Sequence, residues 1–503
     1  MTGNPSSTDV RKGSRGIHAL IAAIFASGMA FIDGTVVNVA TAKLQVIFGA
    51  TAGEVQWVVE AYALTLSSLL LIGGVLGDTY GQKRVFIWGN VLFGLSSLVC
   101  GLATSLVGLV LARAIQGAAA ALMIPGSLAL ITSAYAPSER GRAIGIWSSA
   151  TSMMGAIGPF FGGWLIDTLS WRAIFFINLP MAVLAVFFAS RLPDELGSKT
   201  GVRPNWAGGA NMVAALAALT YALLSAQDRG ANVIPSALAC VVFLAAFVWF
   251  ERRAAAPLLP VVLLKSPVFV GVNAITLFLY GALFGAMYFF PLCLIQIHHY
   301  TASQAGAAVA PLILTLVVLS PWTGKLLTTY GARASLAVGC CVVAAALFAM
   351  SIPGAGGTYW ATFFVPVIAM GLGMAICVAP LTTTVMGAAP EDQLGVASGI
   401  NNAVSRVAGL LAIAVFGFVL SMSFDARLDR AIATLNLPDA VRADVDRKKP
   451  LLASVQYTQP SIQQAIDTAF VDAFRIVMQT SAALALVGAA CAWGMLKSAK
   501  SER

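Results

Sequence analysis

Fourteen long apolar runs leave this chain almost no choice of solvent. They lie at 17–40, 54–77, 84–105, 107–134, 143–167, 173–191, 206–226, 233–250, 268–292, 304–326, 334–352, 358–385, 396–420 and 471–495. Each approaches the roughly 20 mostly apolar residues that cross a hydrocarbon core. Only 10% of the 503 residues are charged, against about 25% in an average soluble chain. Lipid offers backbone N–H and C=O groups no hydrogen bonds, so runs of this length must be helices. The sequence therefore predicts an all-α, multi-pass membrane protein of about fourteen spans.

The polar, basic start (MTGNPSSTDVRKGSRG) runs straight into the first apolar segment with no cleavage signal, so that segment reads as a span and not a removable leader. The net charge of +9 sits in short loops and forms no basic stripe with interleaved aromatics, which argues against nucleic acid. Cys100, Cys240, Cys293, Cys340, Cys341, Cys377 and Cys491 all fall in apolar runs. With no CxxC and no histidine at ligand spacing they read as small buried hydrophobes, and no metal site is expected. His298-His299 reads as a solvated pair in an outer loop.

Sidedness follows from the basic residues of the short loops. With the amino terminus inside, eighteen lie on the inner side: Arg11, Lys12, Arg15, Lys83, Arg84, Arg140, Arg142, Arg191, Lys199, Arg203, Arg252, Arg253, Lys265, Lys325, Arg333, Lys497, Lys500 and Arg503. The short outer loops hold three, Lys43, Arg172 and Arg229. The expected organisation is a cytoplasmic tail 1–16, a six-helix bundle 17–191, and a linker 192–267 carrying two extra helices. A second six-helix bundle 268–495 follows, with a long polar outer segment 421–470, and then a cytoplasmic tail 496–503. Gly74-Val-Leu-Gly-Asp-Thr-Tyr-Gly81 returns as Gly324-Lys-Leu-Leu-Thr-Thr-Tyr-Gly331, an offset of 250 residues, which fits two related bundles. Transporters are often built from such repeats, with the substrate near the midplane between them.

Charges inside spans are costly and mark functional paths. Asp33, Glu60 and Arg113 fall about six or seven residues from the outer ends of the first, second and fourth spans, a layer roughly 10 Å deep at about 1.5 Å per residue. Arg113 stays charged and can grip a carboxylate bidentately, so it is the natural partner of Asp33. Ionised and paired, Asp33 favours one conformation; protonated, it releases the pair and favours another. The alternative is a static pair that only orients helices. In 254–420 the only acids are Glu391 and Asp392, in a predicted inner loop, so proton coupling is expected in the first bundle. Arg406 has no acid in its own bundle and is expected to face Asp78 across the interface.

These residues also carry a resemblance. Phe31-Ile-Asp33-Gly-Thr-Val-Val-Asn-Val-Ala40 resembles the first-helix signature of the fourteen-helix drug:proton antiporters, multidrug efflux transporters of the major facilitator superfamily. Gly74-Val-Leu-Gly77-Asp78-Thr-Tyr-Gly81-Gln-Lys83-Arg84 is similar to that superfamily's loop motif, which implies a gate of acid and basic residues. Arg113-Ala-Ile-Gln116-Gly117 resembles the fourth-helix motif implicated in proton transfer. Gly145 through Gly158-Pro159-Phe-Phe-Gly162-Gly163 resembles the fifth-helix antiporter motif, whose glycines and proline permit bending. Trp171-Arg-Ala-Ile-Phe-Phe-Ile-Asn178-Leu-Pro180, and Gly395 onward to Arg406, also match family patterns. Two departures stand out: Met154 where the fifth-helix motif has glycine, and Thr328 where the first loop copy has Asp78.

The resemblance implies the major facilitator fold and a non-enzymatic, proton-coupled antiporter in a bacterial cytoplasmic (inner) membrane. It would act as a monomer, driven by the proton gradient without a cofactor, with an auxiliary periplasmic adaptor left open. The cargo expected is small, hydrophobic and cationic or amphipathic. Candidate contacts are Asn38, Trp57, Tyr62, Gln116, Met123, Asn273, Tyr280, Phe284 and Tyr288, because aromatic and methionine side chains suit flat apolar cargo. The rival readings are export of a lipid, a fatty acid or one metabolite, an intramembrane enzyme, and a receptor. An enzyme would need a Ser/His/Asp set or HExxH spacing, and a receptor a soluble signalling domain; the sequence shows neither.

Overall fold

A computed structural model of the chain describes residues 7–193, 205–227, 232–254, 257–258, 261–389, 394–435, 437–455 and 457–496, and every regular element among them is helical. The first bundle comprises α1 (Ser7–Phe48), α2 (Ala52–Tyr80), α3 (Gln82–Leu102), α4 (Leu106–Ala134), α5 (Pro137–Thr168), the short α6 (Ala173–Phe176) and α7 (Asn178–Ser190). Two helices follow, α8 (Trp206–Gln227) and α9 (Val233–Arg253), then a short α10 (Val261–Leu264). The second bundle holds α11 (Pro267–Gln296), α12 (Ala302–Ala307), α13 (Ala310–Met350), α14 (Tyr359–Thr362), α15 (Phe364–Gly387), α16 (Leu394–Ala433), α17 (Asp439–Lys448), a 3-10 turn Lys449–Ser454 and α18 (Pro460–Met495).

Among the described residues, twelve helices are long and apolar enough to cross a membrane. They do not include α2 and α5, which run for 29 and 32 residues. The helices begin where local chemistry supplies the missing hydrogen-bond acceptors. Thr51 and Glu54 form a reciprocal capping box at the head of α2, and Thr301 and Gln304 form the same box at α12.

The internal repeat reappears as backbone geometry. Gly81 separates α2 from α3 at φ 98°, and Gly331, 250 residues later, breaks α13 at φ 79°. L side chains rarely adopt such φ values, so the last glycine of each copy is what lets the chain reverse so tightly. α13 is thus two antiparallel helices, matching the predicted spans 304–326 and 334–352.

Alternation of the helices defines two faces: a near face carrying the start of α1 and the α2–α3 turn, and a far face carrying the α1–α2 turn. The far halves of the two bundles share one core. Val36 to Leu44 of α1, Val55 to Val59 of α2 and Leu165 of α5 pack into the same cluster as α11, α13, α15, α16 and α18. The near half of the first bundle keeps a separate core (Ala19 to Ala30, Tyr62 to Leu70, Ala119 to Leu130) with Ala403 against it from α16. Hydrogen bonds tell the same story. Among the described residues those joining the bundles run from Gln56 to the Ile413 carbonyl, from Gln296 to Gln45, and from the Ser303 amide to Asp167, all on the far side. The bundles are therefore clamped at the far face.

Glycines make that clamp close. A Cβ on Gly163 would strike the Ala302 carbonyl, and one on Gly306 the Pro159 carbonyl, so α5 and α12 meet backbone to backbone. Met154 has its own accommodation: its sulfur fills the space beside Gly28 of α1, so the bulk missing from α1 is present on α5. α8 packs on α9 and on both α2 and α16, with Leu216 between Leu64 and Leu410.

Segment 421–470, read as a polar outer segment, is largely helical. α16 continues to Ala433, α17 and the 3-10 turn follow, and α18 begins at Pro460. Leu452 and Ala453 are buried, and Lys449 pairs with Asp429 and Asp446, so the segment forms a folded cap on the far face. His298 also departs from expectation: its ring packs edge-on against Phe363, and burial pushes its pKa below the usual imidazole value, with the neighbouring His299 adding to the effect.

Candidate functional site

Four helices deliver polar side chains to one dry point in the first bundle. Asp33 (α1), Ser97 (α3), Arg113 and Gln116 (α4) and Asn178 (first residue of α7) are all completely buried. Arg113 Nη1 pairs with Asp33 Oδ2. Asp33 Oδ1 accepts from Gln116 Nε2 at 3.0 Å and from Asn178 Nδ2 at 3.0 Å. Ser97 Oγ accepts from the same two amides, at 3.1 and 2.9 Å, and donates to the Phe175 carbonyl at 2.9 Å. Arg113 also donates through Nη1 to Gln116 Oε1 at 2.8 Å and through Nε to the Val58 carbonyl at 3.0 Å. Its guanidinium lies 4.3 Å from the centre of the Tyr62 ring.

This geometry corrects two expectations. The arginine does not hold the carboxylate with both arms; one oxygen goes to Arg113 and the other to two amides. Gln116, read as a cargo contact, is a structural donor inside this network. A buried carboxylate with one cation and two amide donors is electrostatically satisfied. Protonating it would remove the anion to which all three donors are aimed, the one change of charge that this arrangement of α1, α4 and α7 admits at Asp33. Ser97 carries no signal of this role in the sequence, and Asn178 shows only as a member of the Trp171–Pro180 motif.

Asp33 lies fifteen residues before Phe48, the end of α1, about 22 Å along a helix, and so deeper than the predicted layer. Glu60 is not part of the cluster. It is buried against the second bundle, where Oε1 accepts from Gln56 at 3.4 Å and Oε2 has no hydrogen-bond partner among the described residues. Gln56 bridges it to the Ile413 carbonyl of α16 at 2.9 Å.

The proposed cargo contacts separate into groups. Tyr280 and Phe284, ring centres 5.7 Å apart, are partly exposed between the bundles, as is Asn38, whose Oδ1 has no partner. Asn273 is buried and accepts from Asn401 at 3.1 Å, while Asn401 also donates to Thr276 at 2.8 Å. Tyr288 sits in a far-face crevice with Thr41, Gln45 and Gln56, beneath Pro450 and Leu452 of the cap. Tyr62 is buried beside Arg113. Met123 is completely buried in the near core of the first bundle, and Trp57 lies against Tyr221 of α8, ring centres 6.4 Å apart. Met123 therefore faces packed protein, whereas Trp57 is partly exposed beside the exposed Tyr221.

Of the gating residues, Gly74 lies within α2, and Gly81 makes the turn already described. Lys83 donates to the Ser190 and Leu192 carbonyls at the end of α7, and Arg84 is exposed. Gly158 and Gly162 receive Thr35 and Val36 of α1, Gly163 meets α12, and Pro159 lies inside α5. The Asp78 side chain and residues Glu391 and Asp392 lie outside the described residues, as do the tails 1–6 and 497–503. Arg406 does not reach the near end of α2; its guanidinium lies 5.3 Å from the centre of the Phe31 ring at mid-molecule. Asp78 is sixteen residues, about 24 Å, further along α2 than Tyr62, which shares that mid-molecule level.

Comparison with known proteins fits this architecture. The family description "Major Facilitator Superfamily" matches residues 23–413. The chain is 32% identical over 425 residues to the multidrug resistance protein Stp of Mycobacterium tuberculosis, covering 83% of this chain and 78% of that protein. It is 32% identical to the methylenomycin A resistance protein of Bacillus subtilis (84% and 91% covered). It is 28% identical to the tetracenomycin C resistance and export protein of Streptomyces glaucescens (94% and 90% covered). Among solved structures, a bacterial homolog of the human lysosomal transporter Spinster superposes with a TM-score of 0.65 at 18% identity, covering 95% and 96% of the two chains.

Proposed function

This chain belongs to the Major Facilitator Superfamily, and from that premise we propose that it is a proton-coupled exporter of small hydrophobic and amphipathic compounds, working by alternating access. The observation that carries the reading is the network around Asp33: an acid buried in a transporter bundle, with three donors aimed at it, and with proton occupancy as its one easily changed variable. Resistance and export are what the relatives are named for, and they are 28–32% identical to this chain across most of its length.

The cycle follows from the geometry. With Asp33 ionised, Arg113, Gln116 and Asn178 hold α1, α4 and α7 together. A proton arriving at Asp33 cancels the charge, frees Arg113 and loosens those helices against each other. The far clamp of Gly163, Gly306, Gln45 and Gln56 is what must part when the cleft turns outward. Glu60 lies at that clamp with one oxygen unpaired, and is the second acid we assign to coupling.

In this reading fourteen helices cross the bilayer, α2 and α5 included, and the near face with both termini is cytoplasmic, as the eighteen-to-three distribution of basic loop residues supports. The membrane is the bacterial inner membrane. The chain acts as a monomeric transporter and not as an enzyme, with the proton gradient as its energy source and no cofactor or metal. Nucleic acid has no part in the cycle, and an auxiliary periplasmic adaptor stays open as a partner. The test is efflux of a hydrophobic dye from proteoliposomes under an imposed pH gradient, which should occur with the wild-type chain and collapse without the gradient.

A further inference from the structure

Among the described residues, Arg406 is a cation without a counter-charge in the middle of the molecule. It stands twelve residues into α16, about 18 Å from the near end, deeper than lipid headgroups reach. Among the described residues it forms no ion pair and no hydrogen bond to an acid. Its neighbours are aromatic: Phe31 of α1 lies under the guanidinium, and Tyr62 of α2 and Tyr280 of α11 lie within electrostatic reach. Of the acids at that depth, Asp33 is already engaged by Arg113, Gln116 and Asn178. Arg406 is nevertheless partly exposed, and so are Phe31, Tyr280 and Phe284, so the group faces the seam between the bundles and not solid core. Asn402, one helical turn before Arg406 on the same side of α16, is exposed and adds an amide.

A guanidinium held in a low-dielectric cleft and flanked by aromatic faces is incomplete until an anion reaches it. We propose that Arg406 recognises an acidic group on the cargo, so that the compounds carried are flat aromatic acids: the rings lie among Phe31, Tyr280 and Phe284, and the carboxylate or phenolate meets the guanidinium. The inference rests on the export reading and narrows it, since a cationic cargo would be repelled at this point.

The experiment is equilibrium binding of three probes with one ring system to the purified full chain, without any gradient: 9-anthracenecarboxylate, its methyl ester and 9-(aminomethyl)anthracene. The wild-type chain should bind the acid at least roughly tenfold more tightly than the ester or the amine, the scale of one charge-assisted pair. Arg406→Gln should erase that preference by weakening the acid alone, and Arg406→Lys should keep part of it. Equal wild-type affinities for acid and ester overturn the proposal, as does an acid preference that survives Arg406→Gln. If Arg406→Gln loses the ester too, the cleft has collapsed and Arg406→Lys decides: losing the acid preference while binding the ester overturns the proposal. Failure of the export reading would show instead as absent gradient-driven efflux, which these binding ratios do not touch.

Discussion

Arg113 contributes three separate hydrogen bonds at once, to Asp33, Gln116 and the Val58 carbonyl. A lysine ammonium is a point charge on a flexible stem and cannot span those directions. Arg113→Lys should therefore cut gradient-driven efflux at least tenfold; unchanged efflux would favour a static pair that merely holds helices. Asn178→Ala removes one of two donors from Asp33 Oδ1 and leaves Ser97 short of a partner. It should lower efflux by a comparable factor and destabilise the first bundle by about 1–3 kcal/mol, the cost of an unsatisfied buried polar group, readable as a lower unfolding temperature. The sequence disclosed the two charges because a charge in an apolar run stands out. It did not disclose Ser97 and Asn178 as donors, since small polar residues within spans look alike until the helices are packed. Gln116 was misassigned for the same reason.

At the scale of elements, the turns and close approaches were legible and the ends of the helices were not. The repeat of Gly81 at Gly331 was visible as an offset, and both positions proved to need a left-handed backbone. Gly331→Ala should destabilise the second bundle by more than about 1 kcal/mol, because alanine is strained at that φ, seen as a lowered melting temperature. Hydropathy marks where a helix lies in hydrocarbon, not where it stops. Hence α16 and α18 run past the predicted ends at 420 and 471 into a helical cap. Within the cap, a hydrogen bond from Lys448 holds the Asp444 carboxyl below its ordinary range, with Tyr457 and nearby basic charge assisting. A depressed carboxyl contributes stability above its unfolded value, near pH 4, and that contribution is lost as pH falls below it. The protection of amides across 439–455, relative to their intrinsic exchange rate at each pH, should therefore fall on acidification below about pH 4, and Asp444→Asn should flatten that dependence.

At the scale of the whole molecule, two bundles clamped at the far face and separately cored toward the near face describe one end state of an alternating cycle. The family and the helical architecture were legible from six ordered motifs. What the sequence left unread was the sharing of one core by the far halves, which depends on tertiary packing between segments hundreds of residues apart. An aromatic acid leaving as a proton enters moves two charges per exchange, whereas a monovalent cation would move none. Export should therefore be driven by an interior-negative potential as well as by the pH gradient, measurable with a potassium gradient and valinomycin. The central claim is that proton binding at Asp33 drives export, and the direct test is pH-gradient-driven dye efflux from proteoliposomes holding the wild-type chain or Asp33→Asn. The account predicts efflux with the first and none above the protein-free rate with the second; full gradient-driven efflux by Asp33→Asn would contradict it.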